Sequence, residues 1–198
     1  MPNNQDLPLI IKDVLSSRSP EIIDDNQALY RHAAVLIPIF RDNGEYKIIF
    51  TKRTNRVEEH KGQISFPGGT REEADRTLLD TALREYAEET GLRAEDIEVL
   101  GELDDEATIT SNYIVSPFVA VIPWPSRFNI SKGEVDEIIE VPISALLDKE
   151  SLQQGTEFLD GKMVDSYAYH YQGKIIWGAT ARILNRFLGI VTRAMQDK

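Results

Sequence analysis

Apolar residues occur along this chain in short continuous or alternating runs and at helical spacing, and these patterns predict where its strands and helices lie. A nearly continuous apolar run over 33–40 is typical of a strand buried on both faces. Asp42-Asn43-Gly44 then predicts a hairpin turn into a return strand over 46–51. Further strands are predicted over 98–104, 113–122, 137–141, 164–171 and 175–177, and the segment 52–69 is expected to be a loop.

Helical spacing of apolar residues predicts four helices, over 5–17, 78–90, 143–147 and 179–195. Gly91 stands where a glycine commonly ends a helix, and Trp177 is expected to pack in the core. Strands before and after a central helix favour an α/β fold with a mixed sheet flanked by helices. We expect one domain over residues 31–198, preceded by a helical extension over residues 1–30 that packs on the domain or on a second subunit of a homodimer.

Composition excludes several classes of function. The chain has 198 residues and no cysteine, so disulfides, thiolate metal sites and cysteine nucleophiles are excluded. A formal net charge of −11 argues against broad binding to nucleic acid or anionic membranes. The first residues lack the layout of a signal peptide, and no apolar stretch is long enough to span a bilayer, so we expect a cytoplasmic protein.

Candidate chemistry is concentrated between Gly68 and Leu92. Glu85, Glu88 and Glu89 stand at i, i+3 and i+4, which places three carboxylates on one helix face. Such a group repels itself unless a cation lies among its members, and a hard divalent ion prefers oxygen ligands. Taken alone, the three glutamates would be read as a solvated helix face, as runs of charge usually are. Gly68 and Gly69 permit close approach of the backbone to a ligand, and glycine-rich backbone before a helix favours phosphate binding.

The segment from Arg84 to Leu92, REYAEETGL, resembles the second half of the signature of the Nudix hydrolases. The resemblance implies an α/β/α sandwich with a catalytic loop-helix-loop and a Mg²⁺- or Mn²⁺-dependent reaction on nucleoside diphosphate derivatives. It implies metal ligands at the Gly69 carbonyl and the three glutamates, with Glu88 or Glu89 taking the proton of the attacking water and Arg84 orienting a carboxylate. Three acidic residues outside the helix stay open as alternative proton acceptors: Glu106, Glu134 and Glu137.

The upstream spacing departs from the common Nudix form. Gly69 and Asp75 match the signature only if one residue is inserted before the helix, which leaves the role of Asp75 open. Together with Thr51, Arg53 and the run FPGG over 66–69, this insertion resembles a subgroup that hydrolyses coenzyme A. That subgroup implies substrate contacts at Arg53, Arg56, Phe66 and Gly68.

Glu58 stands where the coenzyme A subgroup favours arginine, so the same chemistry on ADP-ribose, a dinucleotide or a nucleoside triphosphate stays an alternative. A third alternative is a nucleotide-binding regulatory module that has the fold without the hydrolysis.

Overall fold

Strands and helices follow one another in the order that the apolar pattern predicts, with four additional strands. The computed structural model describes residues 7–54, 62–108, 111–125, 127–159 and 162–196. Its helices are α1 (Leu7–Ser16), α2 (Leu78–Thr90), α3 (Ile143–Leu147) and α4 (Gly178–Gln196). Its strands are β1 (Arg31–Asp42), β2 (Glu45–Arg53), β3 (Ile64–Ser65), β4 (Gly68–Thr70), β5 (Glu98–Glu102), β6 (Glu106–Ala107), β7 (Tyr113–Val121), β8 (Val135–Pro142), β9 (Leu152–Leu159), β10 (Lys162–Tyr171) and β11 (Lys174–Trp177).

The larger sheet is mixed and is built around β1. This strand pairs with β7 in parallel and with β2 antiparallel, and the short β4 pairs antiparallel with its first half. The central order is β3-β2-β1-β7-β5, with β6 beside β7 and β8 beside β2. Neighbouring strands and helices on both faces bury the apolar run of β1, which explains why this run does not alternate with polar residues.

Helices cover both faces of this sheet, as the α/β/α expectation requires. On one face α2 packs against the sheet through Ala82 and Tyr86, both fully buried. On the other face α1 and α4 share a core, in which Ile11 and Phe187 are fully buried. The helix α1 therefore packs on the domain, while the boundary at residue 30 stays a prediction. No helix within the described ranges is long and apolar enough to cross a membrane.

Four short or weakly apolar strands, β3, β4, β6 and β9, lie outside the prediction. The two-residue strand β6 forms by pairing antiparallel with β7. The strands β3 and β4 lie within the segment expected to be a loop, and they form by pairing with β2 and β1. The strand β9 has the sequence LQQGTEFL, whose polar residues give no clear strand period. It pairs antiparallel with β10, and with β11 these strands form a second, three-stranded sheet. Tertiary pairing stabilises these strands where local preference does not.

Candidate active site

Local interactions define both ends of α2, the helix that carries the three glutamates. Thr77 and Asp80 form a capping box in which each side chain accepts a hydrogen bond from the backbone N–H of the other, at 3.1 and 2.9 Å. Gly91 ends the helix in the left-handed conformation with φ 73°. Tyr86 packs into the core beneath the helix, while Glu89 contacts Thr51 of β2 and Glu85 contacts Gly69 of β4.

Glu89 is the most deeply buried of the three helix glutamates. It is 3% exposed, and its Oε2 accepts a 3.3 Å hydrogen bond from the Thr51 hydroxyl. Burial raises the pKa of Glu89 to about 8; the positive charge of Arg53 opposes this shift, and the negative charges of Glu85 and Glu134 add to it. A buried carboxylate with little positive charge around it is suited to holding a cation.

Glu85 lies against the diglycine. A Cβ atom added at residue 69 would lie 2.4 Å from the Glu85 carboxylate, so a side chain there would displace that carboxylate. Burial raises the pKa of Glu85, although Arg84 donates a 2.9 Å hydrogen bond to its carboxylate. This packing brings the backbone of β4 and an acidic side chain of α2 to the same place.

Glu88 lies apart from the other two glutamates. Its side chain is 54% exposed and accepts a 3.3 Å hydrogen bond from Arg84 Nη1. Unlike Glu85 and Glu89, it does not line the neighbouring cleft. The structure therefore brings two of the three predicted helix ligands together and leaves the third on the outer side of Arg84.

Arg84 orients a carboxylate, and that carboxylate belongs to Asp75. Its Nε and Nη2 donate to the two oxygens of Asp75 at 3.1 and 3.0 Å, and Nη2 also donates to the Thr70 carbonyl at 3.1 Å. The Arg84 guanidinium holds the pKa of Asp75 well below its usual range. Arg84 thus joins the end of β4 to α2, which is a positioning role, and the role of Asp75 that the sequence left open is to hold Arg84.

The FPGG run over 66–69 packs against β1 and β2 next to the site. Phe66 and Gly68 both line the cleft. The Phe66 ring stacks on Phe50 with centroids 4.8 Å apart and is 2% exposed, so most of it packs in the core. Gly68 has φ 153°, and a Cβ there would lie 2.3 Å from the Ala34 carbonyl oxygen. The close approach of β4 to β1 therefore depends on this glycine.

Arg53 projects into the cleft from the end of β2. Its Nε is buried and has no hydrogen-bond partner among the residues that the structure describes, and its charge acts on Glu89. Arg56 and Glu58, which the sequence analysis also singled out, lie outside the described residues. A buried donor without a partner costs free energy, so Arg53 is suited to an anionic ligand.

The glutamates outside the helix differ in their surroundings. Glu106 is paired with Arg182 and Arg186, and Glu137 is paired with Lys174 at 3.0 Å. Glu134, in contrast, lines the cleft, and its charge raises the pKa of both Glu85 and Glu89. Of the three alternatives, Glu134 is the one placed beside the helix carboxylates.

A cleft of about 960 Å³ extends from these carboxylates to the three-stranded sheet and the start of α4. Trp177 lines it and is 53% exposed, so the prediction of a core position was wrong. Its neighbour Ile176 occupies the core side of β11, and alternation along the strand directs Trp177 to the opposite side. Tyr113 and Arg31, which the sequence did not mark as site residues, also line the cleft.

The residues at the acidic end fit a hard divalent cation. Glu85, Glu89 and Glu134 supply oxygen donors of the kind that Mg²⁺ and Mn²⁺ prefer. The absence of a side chain at Gly69 leaves room for the backbone to approach Glu85. As the side chains lie, no group of three acidic or histidine residues within the described ranges is close enough to enclose an ion. Small side-chain rotations would therefore accompany ion binding.

Comparison with known proteins defines the class to which this fold and site belong. A family model described as NUDIX domain matches residues 30–161. The chain belongs to the Nudix family of hydrolases, as the motif on α2 predicted, and enzymes of this family generally use divalent metal ions.

Particular relatives agree with this assignment. An uncharacterized Nudix hydrolase NudL of Photorhabdus laumondii is 35% identical over 169 residues, which cover 84% of this chain and 87% of the relative. The NudL of Pectobacterium atrosepticum is 34% identical and covers 79% and 80% of the two chains. A MutT/nudix family protein from Enterococcus faecalis shares the fold, with a TM-score of 0.56 at 13% identity, over 92% of this chain and 72% of that one.

Proposed function

We propose that this Nudix hydrolase is a pyrophosphohydrolase that cleaves coenzyme A or its derivatives into 3′,5′-ADP and 4′-phosphopantetheine, the latter acylated where the substrate is. The observation that carries the proposal is the meeting of two groups in one cleft: the carboxylates of Glu85, Glu89 and Glu134, and the guanidinium of Arg53. The carboxylates suit a divalent ion, and the arginine suits a diphosphate.

Each side chain has a proposed role. Glu85 and Glu89, with the Gly69 carbonyl, would hold Mg²⁺ or Mn²⁺, and Glu88 would join them by turning away from Arg84. When bound, such an ion neutralises charge on diphosphate oxygens and lowers the pKa of the attacking water. We assign proton acceptance to Glu134, because it reaches the cleft from a separate loop. Arg53 would bind the diphosphate.

Coenzyme A is favoured over other diphosphates by the upstream residues. Thr51 and Ser65 are direct partners in the β2–β3 ladder, so the two halves of the element that resembles the coenzyme A subgroup are adjacent. The cleft of about 960 Å³ is large enough for an extended ligand with a nucleotide at one end. A cytoplasmic location stays a prediction from the sequence.

A substrate panel tests this proposal. Purified protein is incubated with Mg²⁺ or Mn²⁺ and with coenzyme A, acetyl-coenzyme A, ADP-ribose, a diadenosine polyphosphate or a nucleoside triphosphate, and the products are separated by chromatography. We expect 3′,5′-ADP from coenzyme A at the highest kcat/KM. Turnover of ADP-ribose or a dinucleotide without turnover of coenzyme A would replace the substrate and keep the reaction class. Tight binding without any product would favour the regulatory module.

A further inference from the structure

Three arginines that line the cleft have no ion pair within the part of the chain that the structure describes. Arg31, Arg53 and Arg71 have no carboxylate within ion-pair distance among the described residues. Arg182, which also lines the cleft, is neutralised by Glu106. In a protein with a net charge of −11, three uncompensated cations in one cleft indicate more than one anionic group on the ligand.

These arginines occupy two separate positions. Arg53 lies at the acidic end, where its charge acts on Glu89. Arg31 begins β1, three residues before Ala34, which is the register partner of Gly69. At about 3.3 Å per strand residue, the backbone of Arg31 is roughly 10 Å along the strand from the diglycine. The backbone N–H of Arg71 donates to the His32 carbonyl at 2.9 Å, so Arg71 is beside Arg31.

Neutral groups hold the side chains of Arg31 and Arg71. The Arg31 guanidinium lies over the Tyr113 ring, with Cζ 5.0 Å from its centroid. Tyr113 is in turn fixed by a 3.3 Å hydrogen bond from Thr70. The Arg71 Nη2 donates to the carbonyls of Asp75 and Arg76 at 3.2 Å. Aromatic and carbonyl partners orient a guanidinium without cancelling its charge.

The start of α4 lies in the same part of the cleft and adds to its positive potential. Residues 178–180 line the cleft, and the first turn of this 19-residue helix contains no acidic residue. The N-terminal end of a helix favours negative charge. Arg182 Nη2 connects this end of the helix to β6 by a 3.5 Å hydrogen bond to the Ala107 carbonyl.

We propose that Arg31 and Arg71 form a second anion subsite, which binds a phosphomonoester on the nucleoside end of the substrate. Resting on the proposed function, this inference assigns the subsite to the 3′-phosphate of coenzyme A. ADP-ribose and dinucleoside polyphosphates carry no such phosphomonoester, so the subsite is a specificity determinant. An arginine fork matches the geometry of a phosphate.

Kinetics with two substrates test the subsite. Coenzyme A and 3′-dephospho-coenzyme A differ only in this phosphate. We expect wild type to have the lower KM for coenzyme A. Arg31→Gln should raise the KM for coenzyme A about tenfold, the effect of one charged hydrogen bond, with little change in kcat. It should leave the KM for 3′-dephospho-coenzyme A unchanged, and Arg31→Lys should restore part of the preference.

Arg41→Gln is the matched control, because Arg41 lies at the other end of β1, outside the cleft, with its guanidinium 5.8 Å from the centroid of the Tyr46 ring. This variant should keep the wild-type preference. Equal KM values for the two substrates in wild type, or the same loss in Arg31→Gln and Arg41→Gln, would overturn the subsite while leaving coenzyme A hydrolysis in place.

Calorimetry separates failure of the subsite from failure of the proposed function. If wild type does not hydrolyse coenzyme A, the affinities for 3′,5′-ADP and 5′-AMP still test the subsite without turnover. We expect 3′,5′-ADP to bind about tenfold more tightly to wild type and the difference to disappear in Arg31→Gln. Equal affinity of the two nucleotides for wild type would refute the subsite.

Discussion

Two groups of acidic side chains in this protein have opposite surroundings. Asp104, Asp105 and Glu106 precede β7, and each has full partners. Asp104 is paired with Arg18, and Glu106 is paired with Arg182 and Arg186. Asp105 accepts hydrogen bonds from the Ser116 hydroxyl at 2.6 Å and the Ile23 N–H at 3.0 Å. Glu85, Glu89 and Glu134 form the second group, around the end of α2.

The second group lacks matching cations. Glu89 has the Thr51 hydroxyl and the distant charge of Arg53, and Glu85 shares Arg84 with Asp75. Buried carboxylates with full partners stabilise a fold, whereas buried carboxylates short of positive charge cost free energy until a ligand arrives. The contrast distinguishes a structural acidic cluster from one suited to an ion.

The largest expected effect is on turnover. Glu89→Gln removes an anionic oxygen from the second group, so kcat should fall about a thousandfold. The fold should persist, because the amide still accepts the Thr51 hydrogen bond. Steady-state assays with Mg²⁺ and coenzyme A measure the loss, and circular dichroism checks the fold. Unchanged turnover would place the reaction centre elsewhere.

Glu106→Gln tests the first group of acidic residues, which comprises Asp104, Asp105 and Glu106. Removing this charge leaves Arg182 without its buried partner, which should lower the free energy of unfolding by about 3 kcal/mol. Urea denaturation measures this loss in the free energy of unfolding. The control is Glu137→Gln, whose more exposed pair with Lys174 should contribute less than about 1 kcal/mol. Equal losses in the two variants would remove the distinction between buried and exposed pairs.

The free energy of unfolding should depend on pH through Asp75, whose carboxylate is paired with Arg84. Arg84 holds its pKa below the usual value, so the unfolded chain binds the proton at higher pH than the folded protein does. The stability that the Asp75–Arg84 pair contributes is therefore fully present above a pH of about 4. It is lost as the pH falls through the lower pKa of the folded state. Between pH 5 and 2, wild type should lose about 1.4 kcal/mol more than Asp75→Asn. Thermal denaturation across this pH range measures the loss. If wild type and Asp75→Asn lose stability in parallel, the prediction is wrong.

Glu88→Gln should have the smallest effect on stability. Its side chain is half exposed and its bond to Arg84 is long, so the free energy of unfolding should change by less than about 0.5 kcal/mol. Turnover should fall by about tenfold to a hundredfold, less than in Glu89→Gln. An equal loss of kcat in the two variants would show that Glu88 contributes to the centre as much as Glu89 does.

Local signals explain which parts of the molecule the sequence predicts well. The helix over 78–90 has a capping residue, an apolar stripe and a terminal glycine, and its bounds are those predicted. The strand β9 has no such signals and was missed, since it depends on pairing with β10. Trp177 was misplaced because the sequence does not show which side of β11 faces α4.

The sequence by itself predicted the acidic group at the end of α2. Spacing alone placed three glutamates on one helix face, and the absence of cysteine excluded cysteine chemistry. Tertiary structure alone decided which carboxylates converge, since Glu134 and Asp75 reach α2 from other segments and Arg84 leaves Glu88 outside. Helical spacing is a local geometric property, whereas burial and charge compensation depend on residues that only folding brings together.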